Sequence, residues 1–251
     1  PGANLGFTGG NNLGLGAARG EWLMLLNPDT ELYPTALPTL VDFLDSHPAV
    51  GVAGPELRYA DGAHQPSRRR FPTLPTLFFE STPLAWLLGP LRARYYLEDR
   101  PADEPQPVDW LVGAALVLRR EVYDQVGGLD ERFFMYYEEC DWQRRIKAAG
   151  WSIWYVPEAE VTHHEAASSD QVVTQRHIRF NQSRVRYTAK WHGEGWARLL
   201  LGRLWLLFAW QSVIEGAKWL VGHKRALRAA RLASYRTVRR ALRAESRYSA
   251  R

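Results

Sequence analysis

An apolar run at residues 22–26, Trp-Leu-Met-Leu-Leu, stops abruptly at Asn27-Pro28-Asp29. A run this short, closed by turn residues, is typical of a strand buried on both faces. Strands of that kind occur mainly in parallel sheets that helices cover on both sides. The run therefore predicts a buried, parallel strand with Asn27 and Asp29 at its carboxyl end.

The following segments alternate between strand-like and helix-like patterns. Asp61-Gly62 is typical of a hairpin turn, and the Pro- and aromatic-rich segment 71–107 is interpreted as a lid or an insertion. Because strands alternate with helices, the sequence predicts an α/β fold. The predicted strands cover 50–53, 108–118 (interrupted at Gly113-Ala114) and 152–156, and the predicted helices run from Pro34 to before Pro48, over 136–149 and over about 174–192.

Charge is distributed unevenly along the 251 residues. Residues 190–251 contain 14 Lys and Arg but only 3 Asp and Glu, a net charge of +11. The whole chain carries +5, so residues 1–189 carry −6. An acidic body with a basic tail argues against nucleic acid as the main substrate. We therefore divide the chain into a body, residues 1–192, and a basic amphipathic helical tail, residues 193–251.

The tail has the composition of a membrane-surface segment. Its apolar stretch 204–214 is bracketed by Arg203, Glu215 and Lys218, so we expect no stretch of the ~20 apolar residues that a spanning helix needs. The segment 223–247 alternates Arg and Lys with leucines, which is typical of a helix lying on anionic lipid. The alternative is a helical hairpin packed on the body, with its arginines in solvent.

Cys140 is the single cysteine, so the chain cannot form an internal disulfide. This favours a reducing compartment, such as the cytoplasm, or at least a fold that needs no disulfide. The chain opens Pro1-Gly2-Ala3-Asn4, without a leading Met or a signal-peptide pattern, and we expect it to be cut from a longer one.

Asn27-Pro28-Asp29 is the first candidate for chemistry. Ligands of open α/β sheets bind beyond the carboxyl ends of strands. A carboxylate there, with Asn27 beside it, can hold a hard divalent cation against a diphosphate. The alternative is a turn or capping motif, since Asn and Asp commonly begin helices and turns.

Glu138-Glu139-Cys140-Asp141 is the second candidate and follows an aromatic run, residues 133–137. One explanation of these carboxylates is structural, because the helix dipole stabilises negative charge at the start of a helix. The aromatic run would also place them in a semi-buried pocket, where a carboxylate can act as a general base.

Three further motifs carry weaker signals. His163-His164, followed by Ser168-Ser169, could bind metal or phosphate, or could be one packed and one solvated histidine. The segment 9–14, Gly-Gly-Asn-Asn-Leu-Gly, predicts a flexible turn that lets the backbone approach a nucleotide. Residues 68–70 are three consecutive arginines, interpreted as a solvated basic loop rather than a phosphate site.

Taken in order, these motifs resemble family 2 glycosyltransferases, in particular their rhamnosyltransferase-like branch. The similarity runs in register from residue 4 to about 192, and the joint order makes it specific although each motif alone is weak. The matching stretches are Asn4–Leu15, Gly20–Thr30, Asp109–Ala114 and Val126–Trp142.

The resemblance implies a GT-A fold, a mixed sheet flanked by helices with a nucleotide-binding half and an acceptor half, here followed by a helical appendage. Segment 71–107 would then lie on the acceptor side. Asn27-Pro28-Asp29 stands at the family's Asp-x-Asp motif, which makes Asp29 the implied ligand of Mg²⁺ or Mn²⁺. The other implied donor-binding residues are Asn12 and Gly14 beside the nucleotide, Asn27, the loop residues Gly113 and Ala114, and His163 and Ser168 near the diphosphate.

The implied catalytic base departs from the family pattern. The family usually has Glu-Asp, any residue, then Asp, whereas this chain has Glu138-Glu139-Cys140-Asp141. Glu139 therefore stands in the base position, with Asp141 as second choice and Arg145 orienting Asp141 one helical turn away. The longer side chain of Glu139 shifts its carboxylate, and shifts of about 1 Å are costly in catalysis.

The resemblance implies an inverting transfer of a sugar, with thymidine-diphosphate rhamnose as the first candidate donor, to a lipid-linked or surface-polysaccharide glycan. The enzyme would work at the inner face of the plasma membrane. The alternative is a non-catalytic sugar- or nucleotide-binding module descended from such an enzyme. Family members begin with strands that hold the base and ribose, and none precedes Pro1, so we expect part of the donor site to lie outside this chain.

Overall fold

A computed structural model describes residues 2–80, 89–164 and 173–248. The chain forms two compact units. The first comprises Pro1–Phe134 and Glu138–Ala167, and the second comprises Met135–Tyr137 and Ser168–Arg251. The boundary that the sequence placed after residue 192 thus falls inside the second unit.

The first unit is built on a seven-stranded mixed sheet. Five strands follow the order β1-β8-β3-β9-β2, while β4 pairs with β3 and β6 pairs with β9. Two further strands, β5 and β7, form a small antiparallel sheet. The strands are β1 (Trp22–Leu26), β2 (Thr30–Leu32), β3 (Val50–Arg58), β4 (His64–Gln65), β5 (Arg68–Arg69), β6 (Gln106–Val108), β7 (Trp110–Leu111), β8 (Ala115–Arg119) and β9 (Ser152–His163).

Strand β1 forms where the sequence predicted it, but its parallel pairing was wrong. It lies at one end of the strand order and pairs antiparallel with β8, with Leu26 opposite Ala115. Leu23 and Leu25 belong to the core on one face of the sheet, and Trp22 and Met24 pack against the core on the other. Packing on both faces explains the unbroken apolar run without parallel neighbours.

The centre of the sheet is the parallel pair β3 and β9, which begins with Val50 opposite Ser152. Both strands are longer than predicted, because β9 also pairs with β6 and β2 along its length. The hairpin predicted at Asp61-Gly62 is confirmed: β3 turns into β4, and Gly62 has φ of +82°. The left-handed conformation suits glycine, which carries no Cβ.

Helices cover the sheet of the first unit. The flexible turn predicted at residues 9–14 was wrong, because this segment lies inside helix α1. Glycine in a helix interior costs about 1 kcal/mol relative to alanine, but buried Thr8 and Leu15 fix α1 to the core, and tertiary packing prevails over local propensity. The helices are α1 (Gly6–Ala17), α2 (Ala36–Ser46), α3 (Leu74–Phe79), α4 (Gly89–Tyr95), α5 (Arg120–Val126) and α6 (Glu138–Ala148).

The second unit consists of helices α7 (Val173–His192), α8 (Glu194–Leu220) and α9 (Arg225–Tyr248), which pack on one another. By length and composition α8 is long and apolar enough to cross a membrane, whereas the sequence analysis expected no such stretch. The charged residues that seemed to interrupt it lie mostly towards its ends. The expected class, a mixed sheet flanked by helices with a helical C-terminal region, is confirmed.

Candidate active site

Asn27, Asp29 and His163 converge where β1 ends. Strand β2 follows Asp29 directly and pairs antiparallel with the end of β9, with Thr30 opposite His163. This pairing places His163 Nε2 3.4 Å from Asp29 Oδ1 and 3.5 Å from Asn27 Nδ2. Three polar groups predicted separately from the sequence therefore form one cluster.

His163 is oriented by Gln65. Its Nδ1 lies 2.9 Å from Gln65 Oε1, which can only accept, so Nδ1 carries the proton and donates. In the neutral ring Nε2 then presents its lone pair towards Asp29. His163 is buried, whereas His164 lies at the surface within 3.0 Å of Glu31, so only the first histidine faces the cluster.

Asp29 and His163 fit a divalent cation that is only partly held by protein. Within residues 2–80, 89–164 and 173–248, no group of three or more His, Cys, Asp and Glu side chains could enclose a metal. One carboxylate and one imidazole with an oriented second nitrogen match sites that leave the other positions to phosphates and water. Asn27, which stands where the Asp-x-Asp motif has its first carboxylate, also lies beside His163.

The loop between β7 and β8 connects this cluster to α6. The carbonyl of Ala114 accepts a hydrogen bond from the Asn27 amide at 2.8 Å. On its other side, the backbone amide of Gly113 donates to the Glu139 carboxylate. A Cβ at Gly113 would lie 3.3 Å from Glu139 Cβ, so glycine permits this close approach.

Glu139 occupies the second position of α6. Burial raises the pKa of Glu139 above that of an ordinary glutamate, although hydrogen bonds from the Gly113 loop and the charge of Arg69 act in the opposite sense. Burial and the charge of Glu139 also raise the pKa of Glu138 well above its usual value. Among the described residues, Glu139 Oε2 has no hydrogen-bond partner. A carboxylate with a raised pKa and a buried oxygen that lacks a hydrogen-bond partner has the properties of a general base.

Asp141 has a different environment. It is fully buried, and its Oδ2 accepts from Arg145 Nε at 3.0 Å, one helical turn on, as the sequence predicted. The same guanidinium donates to the carbonyls of Val126 and Gly128. Asp141 thus fixes the loop before Leu129 through Arg145, and this position supports Glu139 rather than Asp141 as the base.

The two residues before α6 adopt strained backbone conformations. Tyr136 and Tyr137 have φ of 71° and 66°, a region that side chains with a Cβ rarely enter. Their rings pack on Phe180, and Tyr137 also packs on Tyr187. Strain of this kind persists where packing enforces it and is frequent at functional sites.

Arg69 is a further candidate, since the three consecutive arginines do not form the solvated basic loop that the sequence favoured over a phosphate site. Arg68 is buried and donates to the carbonyl of Pro101, and Arg70 pairs with Asp99 at 3.3 Å. Each neighbour therefore has a structural partner. Strand β5 covers Arg68 and Arg69, and the alternation of side chains along a strand separates these two arginines.

The Arg69 guanidinium carbon lies 4.2 Å from the centre of the Tyr96 ring. Burial lowers the pKa of Arg69, and its charge in turn lowers the pKa of Glu139. Within the described part of the chain the guanidinium of Arg69 makes one hydrogen bond, to the adjacent carbonyl of Arg68, and no ion pair. Several of its donors are therefore available to a ligand near Glu139.

The remaining predicted residues lie elsewhere. Asn12 uses its side-chain amide on the backbone of Leu129, with both bonds at 2.9 Å, and also donates to Glu131. Gly14 lines a cavity of about 180 Å³ beside β1. The structure does not bring either residue to the Asp29–His163 cluster. Ser168 lies outside the described residues.

Comparisons with known proteins agree on one family. Its model, described as glycosyltransferase like family 2, matches residues 3–179. N-acetylglucosaminyl-diphospho-decaprenol L-rhamnosyltransferase of Mycobacterium tuberculosis is 35% identical over 181 residues, 70% of the chain and 57% of that protein. Rhamnosyltransferase WbbL of Escherichia coli K12 is 27% identical over 145 residues, 57% of the chain and 52% of that protein. The chain thus spans about half the length of these relatives.

Among solved structures, the mannosyltransferase PcManGT of Pyrobaculum calidifontis, in complex with GDP-Man and Mn²⁺, is similar with a TM-score of 0.45. It is 16% identical, and the similarity covers 96% of the chain and 66% of that structure.

Proposed function

The chain belongs to glycosyltransferase family 2, and we propose that it is the catalytic part of an inverting enzyme that transfers rhamnose from a nucleoside-diphosphate donor to a lipid-linked glycan. The observation that carries the proposal is that two sets of polar residues lie on either side of the Gly113-Ala114 loop. On one side lie Asp29 and His163, and on the other lies Glu139 with its raised pKa.

The groups divide the reaction between them. Glu139 takes the proton from the acceptor hydroxyl, whose oxygen forms a bond to the anomeric carbon of the sugar. The bond from that carbon to the diphosphate breaks on the opposite face, and its electron pair leaves with the diphosphate. Mg²⁺ or Mn²⁺, held by Asp29 and His163, would neutralise the charge on this leaving group. A single displacement inverts the anomeric centre.

Arg69 extends the site on the side of the base. The Mycobacterium tuberculosis relative is named for an acceptor that carries a diphosphate. A guanidinium with free donors is suited to hold phosphate oxygens, and Arg69 lies near enough to Glu139 for its charge to act there. We assign Arg69 to the acceptor's phosphate, which would bring the acceptor hydroxyl towards Glu139.

The same relatives support the setting of the reaction. Two of them are named rhamnosyltransferases. Polysaccharide synthesis on a lipid carrier, in the cytoplasm at the inner face of the plasma membrane, suits an enzyme with a single free cysteine and a basic helical unit.

The test is transfer by the complete gene product, with thymidine-diphosphate rhamnose and a diphospholipid-linked N-acetylglucosamine. Glu139→Gln is expected to lower transfer by about 10²–10⁴-fold, the usual loss with a general base, without weakening donor binding. Because the pKa of Glu139 is raised, wild-type transfer should fall with decreasing pH above the range of an ordinary glutamate. Asp141→Asn, if it folds, should leave this pH limb in place.

Near-normal turnover in Glu139→Gln would refute the base assignment. If the wild-type protein binds the donor but neither transfers nor hydrolyses it, the chain is a binding module and the enzymatic proposal is wrong.

A further inference from the structure

Helix α8 of the second unit carries a line of exposed, large apolar side chains along one side, here called the apolar stripe. Their spacings of three, four and seven residues keep them on one face of a helix. Each is between 46% and 71% exposed. The apolar stripe consists of Trp196, Leu199, Leu206, Trp210, Val213 and Leu220.

The opposite side of α8 has the packing of an ordinary core. Ala197, Leu200 and Leu204 are almost wholly buried there, and α8 contacts both α7 and α9. From Leu206 to Leu220 no residue of the apolar stripe is charged, and Glu215 and Lys218 lie on other faces of the helix. Soluble proteins rarely leave so extended an apolar surface in water.

The charges around the apolar stripe indicate what covers it. The described residues of the second unit include three carboxylates, and two of them are buried in ion pairs, Glu215 with Arg228 and Glu245 with Arg186. Glu194 is the one exposed carboxylate in that part of the chain. The exposed cations are numerous by comparison, and they include Arg198, Lys218, Lys224, Arg225, Arg236 and Arg240.

A surface that combines tryptophans, leucines and exposed cations complements an anionic bilayer. Tryptophan is enriched at the level of lipid headgroups, and each Lys or Arg near an anionic surface adds to the attraction. A second copy of this unit would instead bring cations against cations, which disfavours self-association through the same face.

Helix α8 would lie on the bilayer rather than cross it. A helix that crosses alone meets lipid all round, whereas one side of α8 is covered by protein, including the buried pair of Glu215 with Arg228, whose atoms are 2.8 Å apart. The covering helix α9 carries exposed arginines, which the hydrocarbon interior of a bilayer disfavours. Helix α9 is not the inserting element that its sequence indicated, because Val238 and Leu242 are fully buried. It supplies positive charge instead.

We propose that the apolar stripe of α8 inserts into the headgroup region of an anionic membrane, with the cations of α8 and α9 facing the lipid phosphates. The inference rests on the proposed function in one respect, since a lipid-linked acceptor is presented at such a surface. The two are separately testable, because vesicle binding requires neither donor nor acceptor.

The experiment is co-sedimentation with vesicles of phosphatidylglycerol and phosphatidylcholine in equal parts at low salt. The wild-type protein should pellet with these vesicles and bind pure phosphatidylcholine more weakly. Leu206→Gln combined with Val213→Gln should weaken binding by about tenfold or more, a loss of roughly 1.4 kcal/mol. The matched control is Leu227→Gln, an exposed leucine on α9, which should change binding by less than about twofold.

A fluorescence measurement identifies the inserting face. Because Cys140 is buried, Val213→Cys on the stripe and Ala233→Cys on exposed α9 can each be labelled with a polarity-sensitive dye. The dye at position 213 should shift to the blue on vesicles, and the dye at 233 should not. The proposal is overturned if the wild-type protein does not bind anionic vesicles or if the stripe variants bind them normally. It is also overturned if bound protein is released by detergent but not by high salt, or if the wild type is a dimer that the stripe variant loses.

Discussion

The smallest unit of the proposed site is a pair of atoms, Asp29 Oδ1 and His163 Nε2, 3.4 Å apart. Their residues are distant in sequence, and only the antiparallel pairing of β2 with β9 brings them together. Both residues are candidates on sequence motifs alone, but the sequence does not predict that His163 contacts Asp29 or that Gln65 orients the His163 ring. Those contacts depend on strand register, which local sequence does not determine.

This pair predicts how the protein binds Mn²⁺ in the presence of thymidine diphosphate. Asp29→Ala and His163→Ala should each weaken Mn²⁺ binding, measured by calorimetry. Gln65→Leu should do so by about tenfold, because the second nitrogen of a ligating histidine needs a partner. His164→Ala is the control and should bind normally. Equal Mn²⁺ affinity in Asp29→Ala and the wild type would place the cation elsewhere.

Arg69 predicts a defect confined to the acceptor. Arg69→Gln should lower kcat/KM for a diphosphate-linked acceptor by about 10–100-fold, the value of one or two hydrogen bonds to a charged group, with the KM for the donor unchanged. Arg70→Gln, which removes a surface ion pair with Asp99, should leave both parameters within about twofold.

The pH profile separates a binding role of Arg69 from a purely structural one. The charge of Arg69 lowers the pKa of Glu139, so its removal should move the acidic limb of the transfer profile to higher pH. A defective Arg69→Gln protein with an unshifted limb and an unchanged acceptor KM would contradict the assignment.

At the scale of elements, helix α1 is stabilised by a contact with residues far away in the sequence. Its glycines favoured a turn, but the Asn12 side chain binds both backbone groups of Leu129 and holds the helix against the loop after α5. A Cβ at Gly128 would lie 2.5 Å from Asn12 Oδ1, so a larger residue at 128 would displace the Asn12 side chain from this contact. The partner lies 117 positions away, and no window of sequence contains it.

Asn12→Ala should therefore reduce stability more than donor binding. Loss of its side-chain bonds leaves the amide and carbonyl of Leu129 without these partners, a cost of about 1–3 kcal/mol. Urea unfolding should show the midpoint shift, while donor affinity of the folded variant stays within about twofold. Weakened donor binding at unchanged stability would instead support the role that the family resemblance implied for Asn12.

Other elements were predictable to the extent that their signals are local. The apolar run of β1, the hairpin glycine at 62 and the end of α6 before Gly150, with φ of +99°, all follow from residue type. The direction of β1 and the full lengths of β3 and β9 do not, because pairing partners far along the chain decide them. The base assignment in α6 rests on family pattern and on burial together.

At the scale of the whole molecule, the position where the charge of the chain changes differs from the boundary between the two compact units. The excess of positive charge begins near residue 190, whereas the second compact unit includes α7 and the strained Met135–Tyr137 segment. Composition predicts two regions, an acidic body and a basic helical tail, and their separate functions stay a prediction. Their structural boundary follows helix packing, which charge counts do not report.

The parallel pairing of β3 with β9 also affects how the protein is made. Val50 and Ser152 are 102 positions apart, so a nascent chain leaving the ribosome exposes the apolar residues of β3 long before their partner strand is synthesised. Such long-range parallel contacts form slowly, and unpaired strands are prone to aggregate meanwhile. We therefore expect the soluble yield of the recombinant protein to rise when translation is slowed by low temperature or when chaperones are co-expressed.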